Sequence, residues 1–295
     1  MAKEKFPDWE RHPRPPVPLP PPHSCDCQIH VYGDPAQYPP KLSIGHELPD
    51  ATFADAQRVL GVLGFARAVL VHPGPYDTDY RLLVDTLSRV ADRSNYRGVV
   101  VVDDTVPDKT LELLAGLGVC GGRFHISARY GFYPKDKFLR VVDRLRAMNW
   151  HVRLHMDGQD LLDYADALAS ISDVPVVIDH MGRVDFSLGL QQPAVRWILK
   201  MLKTENWWMM VSNGNRISAL EAGWDDAIPF ARAYIETAPE RTIWSTDWPH
   251  VRWRKQRMMN DAEEVELLYR YVDNDAALLK KILVENPSRL HKFPA

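Results

Sequence analysis

Three short segments far apart in the chain each close a strand-like run with side chains suited to hydrolysis: Asp26-Cys-Gln28-Ile-His30, Val177-Ile-Asp179-His180-Met-Gly-Arg183 and Trp244-Ser-Thr-Asp247-Trp-Pro-His250. A carboxylate can take a proton from water. An imidazole can polarise a carbonyl, donate to a developing oxyanion, or hold a metal. Alternate residues of a strand share a face, so Asp26, Gln28 and His30 are expected on one surface, which His180 and Asp247 reach if the strands close into a barrel. By the same alternation Asp179 is expected to face away. Asp247 stands just before a bulky, proline-bearing turn, where partial desolvation is expected to raise its proton affinity and suit it to act as a base. The plainer reading of Asp247 is a carboxylate that caps the next turn.

Groups so far apart in sequence need a scaffold that gathers them. Eight β-branched runs qualify as strands: 25–31, 68–72, 98–102, 121–126, 152–156, 174–179, 208–211 and 242–245. Helical periodicity fills the gaps at 53–63, 79–93, 110–117, 135–148, 160–171, 194–203 and 227–237, and the tail reads as helices at 261–271, 276–284 and 286–290. This alternation predicts an α/β fold, a (β/α)8 TIM barrel forming one domain over residues 25–295, with parallel strands joined by right-handed crossovers. In such a barrel the chemistry sits at the carboxyl ends of the strands. His30, Arg123, His125, His155, His180 and Asp247 all fall there. A lone histidine at a strand end is usually structural; several at one rim are a site. Residues 1–24 carry Pro13, Pro15, Pro16, Pro18, Pro20, Pro21 and Pro22, so they form an extended arm expected to lie on the body or on a neighbouring subunit.

With 295 residues, 45% of them hydrophobic, the chain buries a large core, and its net charge of −3 offers no basic field for nucleic acid. No apolar run approaches the roughly 20 residues of a membrane span. Three cysteines are too few for a disulfide framework, and no secretory leader opens the chain, so a cytoplasmic location is expected. Cys25 and Cys27 are too closely spaced for an ordinary pair of zinc ligands and are expected to be buried. His72 ends the second strand, and Tyr76 and Asp77 follow it as candidates to line the mouth of the barrel.

On the motifs Val-Ile-Asp-His-Met-Gly-Arg, Trp-Ser-Thr-Asp-Trp-Pro-His, Pro-Phe-Ala-Arg and Val-Glu-Asn-Pro-Ser-Arg-Leu, the chain from about Cys25 to Leu290 resembles the amidohydrolase superfamily. The likeness is to the branch holding 2-pyrone-4,6-dicarboxylate lactonase, sulfomuconolactone hydrolases and galactarolactone isomerase. The resemblance implies that Asp247 activates water and that His180 and His30 bind the scissile carbonyl. It implies further that Arg123, Arg129 and Arg216 hold substrate carboxylates, which guanidinium forks bind in a fixed orientation.

Two positions depart from the lactonase pattern. Gln28 stands where the lactonase and the metal-dependent relatives carry histidine, as it does in the isomerase, and an amide is a poor zinc ligand. No cofactor is therefore expected. The alternative is a zinc or manganese ion on His30, His180 and Asp247, with His155. His155 itself stands where the lactonase has tyrosine, which leaves its role between substrate contact and a second acid or base.

The expected function is hydrolysis of a small carboxylated lactone, with Gln28, His155 and Tyr76 adding substrate contacts. Alternatives are a sugar-acid lactone isomerase, a metal-dependent decarboxylase and a non-catalytic organic-acid binder. The expected partner is the small-molecule substrate, with no nucleic acid or membrane, and a second copy of the chain is the other partner the sequence allows.

Overall fold

Strands and helices alternate along the chain. The computed structural model describes residues 3–126 and 133–294. The strands are β1 (Cys25–Ile29), β2 (Arg67–Val71), β3 (Tyr96–Val101), β4 (Val119–Ile126), β5 (His151–Met156), β6 (Val176–Ile178), β7 (Trp207–Met210) and β8 (Thr242–Ile243). They pair in sequence order as one parallel eight-stranded sheet, so the expected (β/α)8 barrel is the fold. The intervening helices are α1 (Phe53–Leu63), α2 (Arg81–Arg89), α3 (Asp108–Gly116), α4 (Lys135–Ala147), α5 (Gly158–Asp163), α6 (Ala165–Ala169), α7 (Pro193–Met201), α8 (Gly214–Ile217) and α9 (Ile228–Thr237). Three more, α10 (Asp261–Tyr271), α11 (Ala276–Lys280) and α12 (Asn286–His291), close the carboxyl end.

Local chemistry explains the helix boundaries. In α1, Thr52 and Asp55 form a reciprocal capping box, and Gly64 ends the helix at φ +83°, a conformation glycine adopts without strain. Its buried residues Ala56, Val59, Leu60 and Leu63 recur with helical period and pack toward the sheet. Each fully buried large aliphatic side chain contributes about 1.5–3 kcal/mol. The expected single helix over 160–171 is divided at Tyr164, whose φ −101° and ψ 3° lie outside the helical region.

β1 carries a register irregularity between Asp26 and Ile29, and this changes which residues face inward. Cys25 and Cys27 pack inside the barrel with Val69, Val71, Val99, Val177 and Ile243. Asp26 and Ile29, three residues apart, both face outward against Val59, Leu60 and Leu63 of α1. The expectation that Asp26 shares a face with Gln28 and His30 is thus corrected. The bulge turns the strand so that Gln28 follows Cys27 into the interior.

Because β8 has only two residues, the chain beyond it completes the barrel seam. Cys27 N donates to Trp244 O at 3.1 Å, Asp247 N to Gln28 O at 3.1 Å, and His30 N to Trp248 O at 2.8 Å. The closure that seals the barrel also sets Asp247 beside Gln28 and His30.

The amino-terminal arm lies on the body. Trp9, 2% exposed, donates through Nε1 to Asp50 O at 2.8 Å and packs edge-on against Trp248 at 4.9 Å. Arg14 forks onto Glu266 at 2.6 and 2.7 Å, and the Tyr269 hydroxyl donates to Pro18 O at 2.8 Å. Among the described residues no helix is long and apolar enough to cross a membrane.

Candidate active site

At the carboxyl ends of the strands four side chains converge. The Gln28 amide donates through Nε2 to Oδ1 of Asp247 at 2.5 Å, and the same nitrogen stands 3.3 Å from His30 Nε2 and 3.1 Å from His180 Nε2. Asp247 Oδ1 is 3.2 Å from His30 Nε2 and 3.9 Å from His180 Nε2. Oδ2 accepts from Asn213 Nδ2 at 2.9 Å and faces Arg216 Nη1 at 3.9 Å. The Asp247 side chain keeps 13% of its surface exposed.

The outer nitrogens of the two histidines define their tautomers. His30 Nδ1 is 2.7 Å from the Val71 carbonyl, which only accepts, so Nδ1 carries the proton. His180 Nδ1 lies 2.8 Å from the Ser212 hydroxyl, and Arg123 Nη2 points at its Nε2 from 3.4 Å. A guanidinium only donates, so Nε2 of His180 accepts and Nδ1–H goes to Ser212. His180 thus presents its Nε2 lone pair inward, and His30 Nε2 faces Oδ1 of Asp247. Burial drives His180 down to about 3, against the pull of Asp247 and Asp179, so it is neutral near pH 7.

Asp247 departs from the expected raised proton affinity. Burial pushes its pKa up, but the facing His180, the hydrogen bond to His30, and Arg216 outweigh burial and hold it well below the usual carboxylate range. With His180 neutral, we assign the lowering chiefly to the donors gathered on both carboxylate oxygens. Asp247 is ionised at neutral pH.

Asp179 is a second correction. It is fully buried and faces inward, where Oδ1 accepts from Arg153 Nε at 2.5 Å and Oδ2 from Arg123 Nε at 2.8 Å. Burial opposes its charge, but Arg153 and Arg123 prevail and keep it below the ordinary range. The parity explains the error: Val177 faces the interior, so Asp179 does too. His180 then enters the same space because the chain leaves the strand in a left-handed turn, with φ +52° at His180 and +53° at Met181.

Arg123 therefore spends Nε on Asp179, while Nη2 lies 3.0 Å from His155 Nδ1 and faces His180. His125, His155 and His180 follow one another edge to face, with centroids 5.1 and 5.5 Å apart. Burial, reinforced by Arg123, holds His125 and His155 well below the usual histidine range. Arg216 donates through Nη2 to Val251 O at 2.7 Å, which fixes its fork beside Asp247. Tyr76 sits behind the rim rather than on an open wall: it is 1% exposed, between Tyr32 and His72, and its hydroxyl accepts from Gly33 N at 3.5 Å. Arg129 lies outside the described residues.

Sequence reasoning missed Asn213, Ser212 and Arg153. Asn213 and Ser212 follow β7 in Val211-Ser-Asn-Gly-Asn-Arg216, so their place at a strand's carboxyl end was the available signal. Asn213 adopts φ +60°, which asparagine tolerates better than most residues, and its backbone N donates to the buried Glu264 at 3.2 Å.

Comparisons with known proteins bear on the family of the chain. A family model described as amidohydrolase matches residues 25–293. The chain is 32% identical over 276 residues to 4-sulfomuconolactone hydrolase of Hydrogenophaga intermedia, covering 92% of this chain and 89% of the relative. It is also 32% identical over 294 residues to the 2-pyrone-4,6-dicarboxylate hydrolase of Comamonas testosteroni, covering 96% and 95%. An apo crystal structure from Agrobacterium tumefaciens superposes with a TM-score of 0.83 at 26% identity, covering 95% of this chain and 99% of that one.

Proposed function

Since the chain belongs to the amidohydrolase family, we propose that Asp247 is the base with which it opens the ring of a small carboxylated lactone by hydrolysis. The lactone hydrolases among its relatives support the reaction class. The observation that carries the reading is an ionised, partly exposed carboxylate ringed by Gln28, His30, Asn213 and Arg216.

In this reading a water resting on Asp247 gives up a proton as it attacks the ring carbonyl. The growing oxyanion is met by Gln28 Nε2 and Arg123 Nη2, which both already aim at Nε2 of His180, at 3.1 and 3.4 Å. His180 holds these donors on one point, and the substrate oxygen competes for them. Asp247 returns its proton to the departing ring oxygen, with His30 Nε2 3.2 Å from Oδ1. Arg216 binds a substrate carboxylate. Arg129 and His155 remain proposed contacts, and the open groups favour an anionic substrate because guanidinium cations flank the base.

The donor set does not suit a resident cation beside Asp247. Three ligand-like atoms, His30 Nε2, His180 Nε2 and Asp247 Oδ1, surround a point already taken by the Gln28 NH2, which donates where a metal would accept. The neighbouring set of His155, Asp179 and His180 brings its ligand atoms within 4.8 Å of one another, but both Asp179 oxygens are engaged by arginines. No step here runs through a metal. Turnover of pyrone and muconolactone acids in heavy-oxygen water tests the reading: one solvent oxygen in the product carboxylate supports hydrolysis, and its absence points to isomerisation.

A further inference from the structure

A second cluster lies at the opposite pole of the barrel. Cys120 is the second residue of β4, His151 opens β5, and His291 ends α12, so all three gather at the amino ends of the strands, away from Asp247. They offer one ligand atom each, all within 4.8 Å of one another, and Cys120 Sγ is 3.6 Å from His291 Nδ1. All are buried, at 6%, 3% and 0% exposure. The His151 and His291 rings meet edge to face at 5.1 Å.

The hydrogen bonding of this cluster is incomplete. Among the described residues, neither ring nitrogen of His151 has a hydrogen-bond partner, although the ring approaches the Cys120 backbone, and Nε2 of His291 has none either. Buried polar groups rarely stay unpaired without a reason, and readiness to bind an ion is one. Space is kept for the ring as well: a Cβ on Gly121 would lie 2.4 Å from His151 Nε2. Beside the cluster a cavity of about 630 Å³, walled by His151, Trp207, Trp208 and Lys292 among others, leads to the surface.

From this geometry we infer that Cys120, His151 and His291 form a three-ligand site for a thiophilic d10 cation, copper(I) or zinc(II), with solvent from the cavity able to complete the shell. One thiolate and two imidazoles are the donors such ions choose. Burial leaves both imidazoles neutral, with lone pairs available; it takes His151 to about 3 and raises the Cys120 thiol to about 12, so binding releases the thiol proton to solvent as the sulfur–metal bond forms. Arg97, Arg153 and Lys292 lie close enough to favour a thiolate and to oppose excess positive charge. A monovalent ion on one thiolate adds no net charge there, so copper(I) is expected to bind more tightly than zinc(II).

The test uses the full-length reduced protein, titrated anaerobically with copper(I) and, separately, with zinc(II) and with cobalt(II) as its coloured substitute. One tightly held equivalent, a thiolate-to-cobalt charge-transfer band and a raised melting temperature are expected. Each should disappear in Cys120→Ser and in His291→Gln, while Asp247→Asn and Cys25→Ala retain them. The two variants guard against one failing to fold. Absence of the band and of any held ion in the unaltered protein overturns the inference, as does a band that survives in a folded Cys120→Ser protein.

Discussion

The Gln28 amide nitrogen is nearer to Oδ1 of Asp247, at 2.5 Å, than either facing imidazole is, at 3.2 and 3.9 Å. The opposite amide orientation would set an oxygen against a carboxylate, so the nitrogen belongs there. This contact neutralises part of the charge on Asp247 without a cation.

Replacing the base gives the most direct check. Asp247→Asn keeps the size of the side chain and removes its ability to take a proton, so kcat should fall by about 10²–10⁴. Calorimetric affinity for an unreactive product acid should change little. Retention of most turnover would exclude Asp247 as base.

Restoring an imidazole at Gln28 tests the account of the centre. In a Cys120→Ser background, so that only the rim is read, Gln28→His should acquire about one equivalent of zinc and become sensitive to chelators. The parent should keep its turnover through the same chelator treatment. Chelator-sensitive turnover in the parent, restored by added metal, would refute the role given to the amide.

Asn213 should act on rate rather than capture. It holds Oδ2 of Asp247 at 2.9 Å, and losing that bond leaves the carboxylate less fixed. Asn213→Ala is expected to lower kcat about 10- to 100-fold, comparable with losing a supporting hydrogen bond at other sites, with KM nearly unchanged. By contrast, Arg216→Met should chiefly raise KM for a carboxylated substrate.

Stability should fall in acid. His72 is pushed by burial to about 4 and His180 to about 3, and His125 and His155 are lowered as well, while the unfolded chain binds these protons near 6.5. Their stabilising contribution is present above about pH 6.5 and is lost toward pH 4, at up to about 1.4 kcal/mol per pH unit for each imidazole. Asp26, raised by burial to about 7, contributes the opposite slope between about 4 and 7. Urea midpoints from pH 7.5 to 4.5 should therefore decline, and decline more steeply in Asp26→Asn. A flat profile would contradict the neutral buried imidazoles.

Activity should follow a different course. Because Asp247 is held below the usual range, kcat/KM in brief pH-jump assays should stay level from pH 7 to 5. An acid limb above pH 5 would identify another group as base.

The barrel was legible because eight hydrophobic runs alternate with helical periods, and every expected strand overlaps an observed one. The rim residues were legible for the same reason, since strand ends mark where side chains meet. Facing was harder to read. Asp26 needed knowledge of the β1 bulge, and His180 joins Asp179 in facing inward only because a left-handed turn follows β6. Asn213 could be placed at the rim by its position after β7, but its contact with Asp247 depends on the chain after β8 coming back against it.

The edge-on contact between Trp9 and Trp248 joins the first residues of the chain to the neighbour of Asp247. Gentle heating that peels the amino-terminal arm from its seat would slacken the turn bearing the base while the eight-stranded wall still stands. Inactivation should then precede melting, and removing the segment through Trp9 would blunt turnover in a protein that otherwise keeps its shape.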